Sequence, residues 1–125
     1  MRFPAFLAAA SAVFLTATPA LAHPKLVTAQ PAPNGVIGTT SRLQLTFSER
    51  LIERFSGADL VMTGMVGMKA HAPMCVPVKA ALAADGVTLV LTPARPLSSG
   101  TYRIDWHVVS ADTHRVSGGY SFRIK

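Results

Sequence analysis

Tyr102-Arg-Ile-Asp-Trp-His-Val-Val109 alternates almost without fault, with Tyr102, Ile104, Trp106 and Val108 on one side and Arg103, Asp105 and His107 on the other. A period of two marks a strand with one face in a core and one in water, because successive side chains of an extended chain point to opposite faces. Leu43, Leu45 and Phe47 repeat the pattern. Working outward, further strands are expected at residues 25–29, 59–62, 76–82, 87–92 and 119–124, with Asp85-Gly86 as a hairpin turn between two of them. Pro31, Pro33, Asn34, Gly35, Gly38, Pro93, Pro96 and Gly100 punctuate the connections too densely for long helices. Only residues 48–55 read as helical, barely two turns with Ser48 as N-cap. About seven short strands predict an all-β, immunoglobulin-like Greek-key sandwich or barrel.

The first 22 residues differ in kind. Arg2 precedes an apolar run from Phe3 to Leu15, which ends near the small-residue triplet Ala20-Leu21-Ala22. This is the pattern of a signal peptide, with residues 1–22 removed on export and residues 23–125 forming one domain. Pro4, Ser11, Thr16, Thr18 and Pro19 interrupt the run, so a membrane span is disfavoured. The processed chain would begin at His23 and, without Arg2, carry 11 basic against 6 acidic residues, a formal charge of +5. Those basic residues are scattered, which argues against nucleic acid as a partner. Cys75 is the single cysteine, so the core must hold the fold without an internal disulfide.

The methionines beyond residue 22 all fall in Met62-Thr-Gly-Met65-Val-Gly-Met68-Lys-Ala-His71-Ala-Pro-Met74, each ligand-type side chain three after the last. A buried helix face would explain such spacing. Gly64, Gly67 and Pro73 oppose it, since Gly alone costs about 1 kcal/mol relative to Ala in a helix interior. A loop between strands is the expectation, with the thioethers and one imidazole gathered around copper(I), a soft cation suited to neutral sulfur donors. Cys75 follows directly, and adjacent strand residues face opposite ways. It is expected to be buried and outside the site.

His23, once N-terminal, offers an α-amine and an imidazole to one ion. Pro24 has no N–H to surrender, so chelation stops at those two nitrogens and the other donors must come from elsewhere in the fold. Asp112 and His114 are two apart and would share one side of an extended segment. Amine, His23, His114 and Asp112 form a nitrogen and oxygen set of the kind copper(II) prefers. Alone, Asp-x-His is a weak motif that a surface ion pair would explain as well. His107, opposite in phase to Trp106, is expected to face outward, and Glu49 reads as a solvated carboxylate.

With those residues placed, the chain resembles the CopC-type periplasmic copper-resistance proteins over nearly all of residues 23–125. The resemblance is carried by His23-Pro24-Lys25-Leu26-Val27, Phe47-Ser48-Glu49, Phe55-Ser56-Gly57-Ala58, Gly100-Thr-Tyr-Arg-Ile-Asp-Trp106, Ser110-Ala-Asp112-Thr-His114 and Ser117-Gly118. It implies a Greek-key β-barrel with two copper sites. The copper(I) site would use Met62, Met65, Met68, His71 and Met74, and the copper(II) site His23, Asp112 and His114, with Glu49 close by. It also implies an inner-membrane copper transporter of the CopD type as partner. Cys75 and the residue added between Met68 and His71 depart from the family pattern.

Three functions follow from these residues. A periplasmic copper carrier that binds both oxidation states without turnover accounts for both clusters. A copper redox enzyme would also use an N-terminal histidine and a second imidazole, but it needs a flat aromatic substrate face, and Trp106, Tyr102 and Tyr120 all fall in phase with the core. A metal-free structural module explains the fold and leaves the methionine clustering without cause.

Overall fold

A computed structural model describes residues 11–15, 23–65 and 72–125, and residues 11–15 lie in no helix or strand. Its elements are β1 (Leu26–Gln30), β2 (Val36–Ile37), β3 (Leu43–Phe47), a single 3-10 turn (Glu53–Phe55), β4 (Gly57–Met65), β5 (Met74–Val76), β6 (Val78–Leu82), β7 (Thr88–Pro93), β8 (Gly100–Val109) and β9 (Arg115–Ile124). They form two sheets, one ordered β1-β3-β7-β6 and the other β2-β9-β8-β4-β5. Strands distant in sequence are neighbours, β3 with β7 and β4 with β8, as Greek-key connections require. The expected β-sandwich is therefore present, with nine strands among the described residues where about seven were expected.

The core follows the alternation. Leu43, Leu45 and Phe47 of β3 and Tyr102, Ile104, Trp106 and Val108 of β8 are buried, together with Leu60, Leu89, Leu91, Tyr120, Phe122 and Ile124. Each large apolar side chain removed from water stabilises the fold by about 1.5–3 kcal/mol. Phe47 meets Trp106 edge to face at 5.1 Å across the two sheets. Gly118 is needed beside that indole, because a Cβ there would lie 2.4 Å from the Trp106 ring. On the outer face Arg103 pairs with Asp105 at 2.8 Å, and His107 is exposed as its phase predicts.

Four expectations are corrected. Residues 48–55 do not form two helical turns, because their backbone groups are claimed by other segments: Ser48 and Leu51 donate to Lys25 and Gly86 at 2.8 and 2.9 Å, and Ile52 donates to Val109 at 2.8 Å. Only the 3-10 turn remains. The predicted strand at 76–82 breaks at Pro77, with β5 paired to β4 in one sheet and β6 paired to β7 in the other. The segment 62–74 is loop only in part, since Met62 and Met65 lie in β4 and Met74 in β5. Finally, Cys75 is exposed rather than buried. It stands opposite Val61 on edge strand β5, and the inward phase belongs to its neighbour Val76, opposite buried Leu60.

The hairpin turn between β6 and β7 forms as read. Gly86 takes φ +76°, and Asp85 accepts hydrogen bonds from the Val87 and Thr88 amides at 3.0 and 2.9 Å and from the Thr88 hydroxyl at 2.6 Å. The turn also braces the segment after β3, with the Phe47 and Leu51 amides each donating to it at 2.9 Å.

Candidate metal centre

Three separate pieces of chain are hydrogen-bonded into one end of the sandwich. The chain before β1 is pinned by Pro24, which is fully buried, and by two bonds to Ser48: the Lys25 amide donates to the Ser48 hydroxyl at 2.9 Å, and the Ser48 amide to the Lys25 carbonyl at 2.8 Å. That register sets His23 beside the segment carrying Glu49. On its other side, the same segment bridges Leu51 to Ser110 and accepts the Ala111 amide at the Arg50 carbonyl, 2.8 Å. The turn from Ser110 to His114 is thereby fixed against it.

Within that turn Asp112 and His114 do not share one side of an extended segment. Thr113 adopts φ +75°, a left-handed conformation that is an outlier for a β-branched residue. The chain reverses, the Thr113 amide donates to the Ser110 carbonyl at 2.8 Å, and the Ser110 amide donates to the His114 carbonyl at 2.9 Å. The two side chains are folded onto each other. Asp112 Oδ1 accepts the His114 amide at 3.3 Å and the Ser110 hydroxyl, and Oδ2 lies 3.0 Å from His114 Nδ1. The ring nitrogen is buried and has no well-aligned hydrogen-bond partner despite that proximity, which makes the contact electrostatic rather than a satisfied bond. The Ser110 hydroxyl, then the contacts of His114, hold the Asp112 carboxyl down at about 2.

His23 completes the neighbourhood, its imidazole edge-on to that of His114 with 4.8 Å between ring centroids. Thus His23, Asp112 and His114 are brought together, His114 touching both others, and Glu49 sits half-buried on the adjoining segment. Among the described residues no three His, Cys, Asp or Glu side chains already surround one point, so the donors are neighbours rather than a closed cage. The set is still chemically apt. Two imidazoles and neighbouring carboxylates suit a borderline divalent ion of the copper(II) kind. Ser110 and Thr113, which shape the site, carried no signal of their own in the sequence beyond their place around Asp112 and His114.

Met62 and Met65 lie towards the other end of β4, and Met74 on the neighbouring β5. Met62 is buried at 5 % exposure and packs in the core, whereas Met65 and Met74 are 42 % and 54 % exposed. Met62 and Met74 are direct cross-strand partners and share a face of the sheet. A groove of about 580 Å³ beside Met62 is lined by Met62, Val76, Pro96, Leu97 and Tyr102 among others. Gly100 permits this packing, since a Cβ there would lie 2.7 Å from the Met62 methyl and 2.5 Å from the Gly64 carbonyl oxygen. Met68 and His71 lie outside the described residues. Met62 is thus buried, unlike the open thioethers of Met65 and Met74.

Comparison with known proteins bears on the family and the fold. A family model described as the CopC domain matches residues 26–125. The chain is similar to copper resistance protein C of Escherichia coli, 47 % identical over 106 residues that cover 85 % of this chain and 84 % of that one. It is also similar to copper resistance protein C of Xanthomonas campestris pv. juglandis, 48 % identical over 114 residues covering 91 % and 89 %. Among solved structures, PcoC, a methionine-rich copper resistance protein from Escherichia coli, superimposes with a TM-score of 0.76 at 45 % identity, covering 83 % of this chain and all of that one.

Proposed function

The chain belongs to the CopC family, and from that premise we propose that it is a periplasmic copper carrier with two separate sites, one for each oxidation state. The observation that carries this reading is the contact of His23 with His114, two imidazoles from opposite ends of residues 23–125 set 4.8 Å apart. Export with removal of residues 1–22 frees the α-amine of His23. Amine, His23 ring and His114 ring then supply nitrogen to copper(II), Glu49 supplies oxygen, and Asp112 serves the site from behind the His114 ring. Protons compete for the same nitrogens, so the ion is held less firmly in acid.

Copper(I) goes to the thioethers of Met65, Met68 and Met74 with the His71 imidazole, and Met62 forms the wall behind them. Neutral sulfur donors keep a soft cation without the oxidation that thiolates suffer in an exported protein. Exposed ligands at a strand end suit transfer by ligand exchange, here to an inner-membrane copper transporter of the CopD type. No helix among the described residues is long and apolar enough to cross a membrane. The protein binds and releases its ion without turning over a substrate. Tyr102, Trp106 and Tyr120 are all buried, so these rings offer no aromatic platform to a substrate.

Equilibrium titration of the chain starting at His23, with copper(II) in air and copper(I) under strict anaerobiosis, tests the reading. Two independent sites are expected. Competition of both ions for one site, or no retention of either, would overturn it.

A further inference from the structure

We propose that Ser110 is the positioning residue of the copper(II) site: its hydroxyl fixes Asp112, and Asp112 in turn sets the ring orientation in which His114 meets the ion. The proposal rests on the copper(II) reading above and extends it to a residue that touches no metal.

Ser110 is 1 % exposed, and a buried hydroxyl left without a partner costs about 1–3 kcal/mol. Its partners all lie in the 110–114 turn. The hydroxyl donates to Asp112 Oδ1, with the His114 carbonyl 3.4 Å away as a longer contact. The Ser110 amide and carbonyl close the same turn onto His114 and Thr113. With Oδ1 taken by Ser110 and by the His114 amide, Oδ2 faces the ring and stands 3.0 Å from Nδ1. A carboxylate at Nδ1 favours the tautomer protonated there and leaves Nε2 with its lone pair for an ion. Metal-binding histidines are commonly oriented this way from their second nitrogen, and loss of the orienting group typically lowers affinity 10- to 100-fold.

The backbone supports the same role. Thr113 at φ +75° is held against its own preference, and the bonds from Ser110 on either side of it keep it there. The turn is therefore set before any ion arrives.

The experiment compares Ser110→Ala, Ser110→Thr and Asp112→Asn in the chain starting at His23. Without metal, nitrogen and carbon NMR of the His114 ring reports its tautomer. With copper(II) alone, competition against a chelator gives affinity, and electron paramagnetic resonance counts the species present. Ser110→Ala is expected to mix the two tautomers, lower copper(II) affinity by about 10- to 100-fold and split the resonance into more than one species, with Ser110→Thr restoring all three. Asp112→Asn, which keeps the side-chain shape, should mix the tautomers even if Ser110→Ala does not fold. An unchanged tautomer in Ser110→Ala or in Asp112→Asn overturns the proposal. If the parent binds copper(II) no better than His114→Ala, the site itself fails, and the metal-free tautomer still judges Ser110.

Discussion

The imidazoles of His23 and His114 meet edge to face, 4.8 Å between centroids and 76° between planes, and neither is placed by its own sequence neighbours alone. His23 is held by Pro24 in the core and by Lys25 on Ser48; His114 is held by the turn that Ser110 closes. If the amine next to the first ring is a donor, the chain must start at that residue. Placing one alanine before His23 should lower copper(II) affinity about tenfold or more while leaving copper(I) binding unchanged. Competition titrations of the two chains measure this, and equal copper(II) affinity would remove the amine from the site.

Acid should weaken the copper-free fold through Asp112. Its carboxyl is held down at about 2 in the folded chain by the Ser110 hydroxyl and His114, against about 3.9 when unfolded. A depressed pKa contributes stability that is present above pH 4 and is lost as pH falls towards 2. Asp112→Asn should therefore flatten the fall in Tm between pH 4 and 2 without abolishing it. Asp85, lowered by the Thr88 hydroxyl and the Val87 amide, supplies part of what remains. Parallel Tm curves for the variant and its parent would contradict this assignment.

Relief of the left-handed backbone at Thr113 should stabilise the protein. Asparagine tolerates that region far better than a β-branched side chain, and Thr113→Asn is expected to add about 1 kcal/mol to the copper-free fold. Thermal unfolding of the variant should shift upward by roughly 4–8 °C. An unchanged or lower Tm would show that the conformation carries no strain.

Cys75 should behave as an open thiol that takes no part in copper(I) binding. It is exposed and stands opposite Val61, on the face away from Met62 and Met74. A thiol reagent should label it in the native protein at the rate of a small free thiol, and Cys75→Ser should keep copper(I) stoichiometry and affinity. Protection of the thiol by copper(I) would reverse that view.

The architecture was legible wherever side chains alternate, because burial of one face is a property of the strand itself. Leu43, Leu45 and Phe47 and the inward residues of β8 are where their pattern puts them. What failed were segments whose backbone bonds come from elsewhere. Nothing in residues 48–55 announces that Lys25, Gly86 and Val109 will take their hydrogen bonds and forbid a helix. The methionine segment misled for a related reason: pairing of Met62 with Met74 and Tyr102 carries β4 on into what reads as loop. At the proposed copper(II) end, His23, Asp112 and His114 were readable as candidate site residues by their chemistry. Ser110 and Thr113 were not, since a buried hydroxyl and a left-handed φ belong to the folded turn and to no residue type.

Strand β8 runs unbroken from Gly100, opposite Met65, to Val109, next to the Ser110 turn. At about 3.3 Å per residue it is a ruler roughly 30 Å long with one proposed copper site at each tip. An ion cannot step across that span within one molecule, and an electron would tunnel over it only slowly. Copper that changes oxidation state must therefore leave one end and be picked up at the other, from solution, from a partner or from a second copy of the chain. Cargo in the two states would be loaded and unloaded at opposite poles, and a partner reading one pole need never sense whether the other is filled.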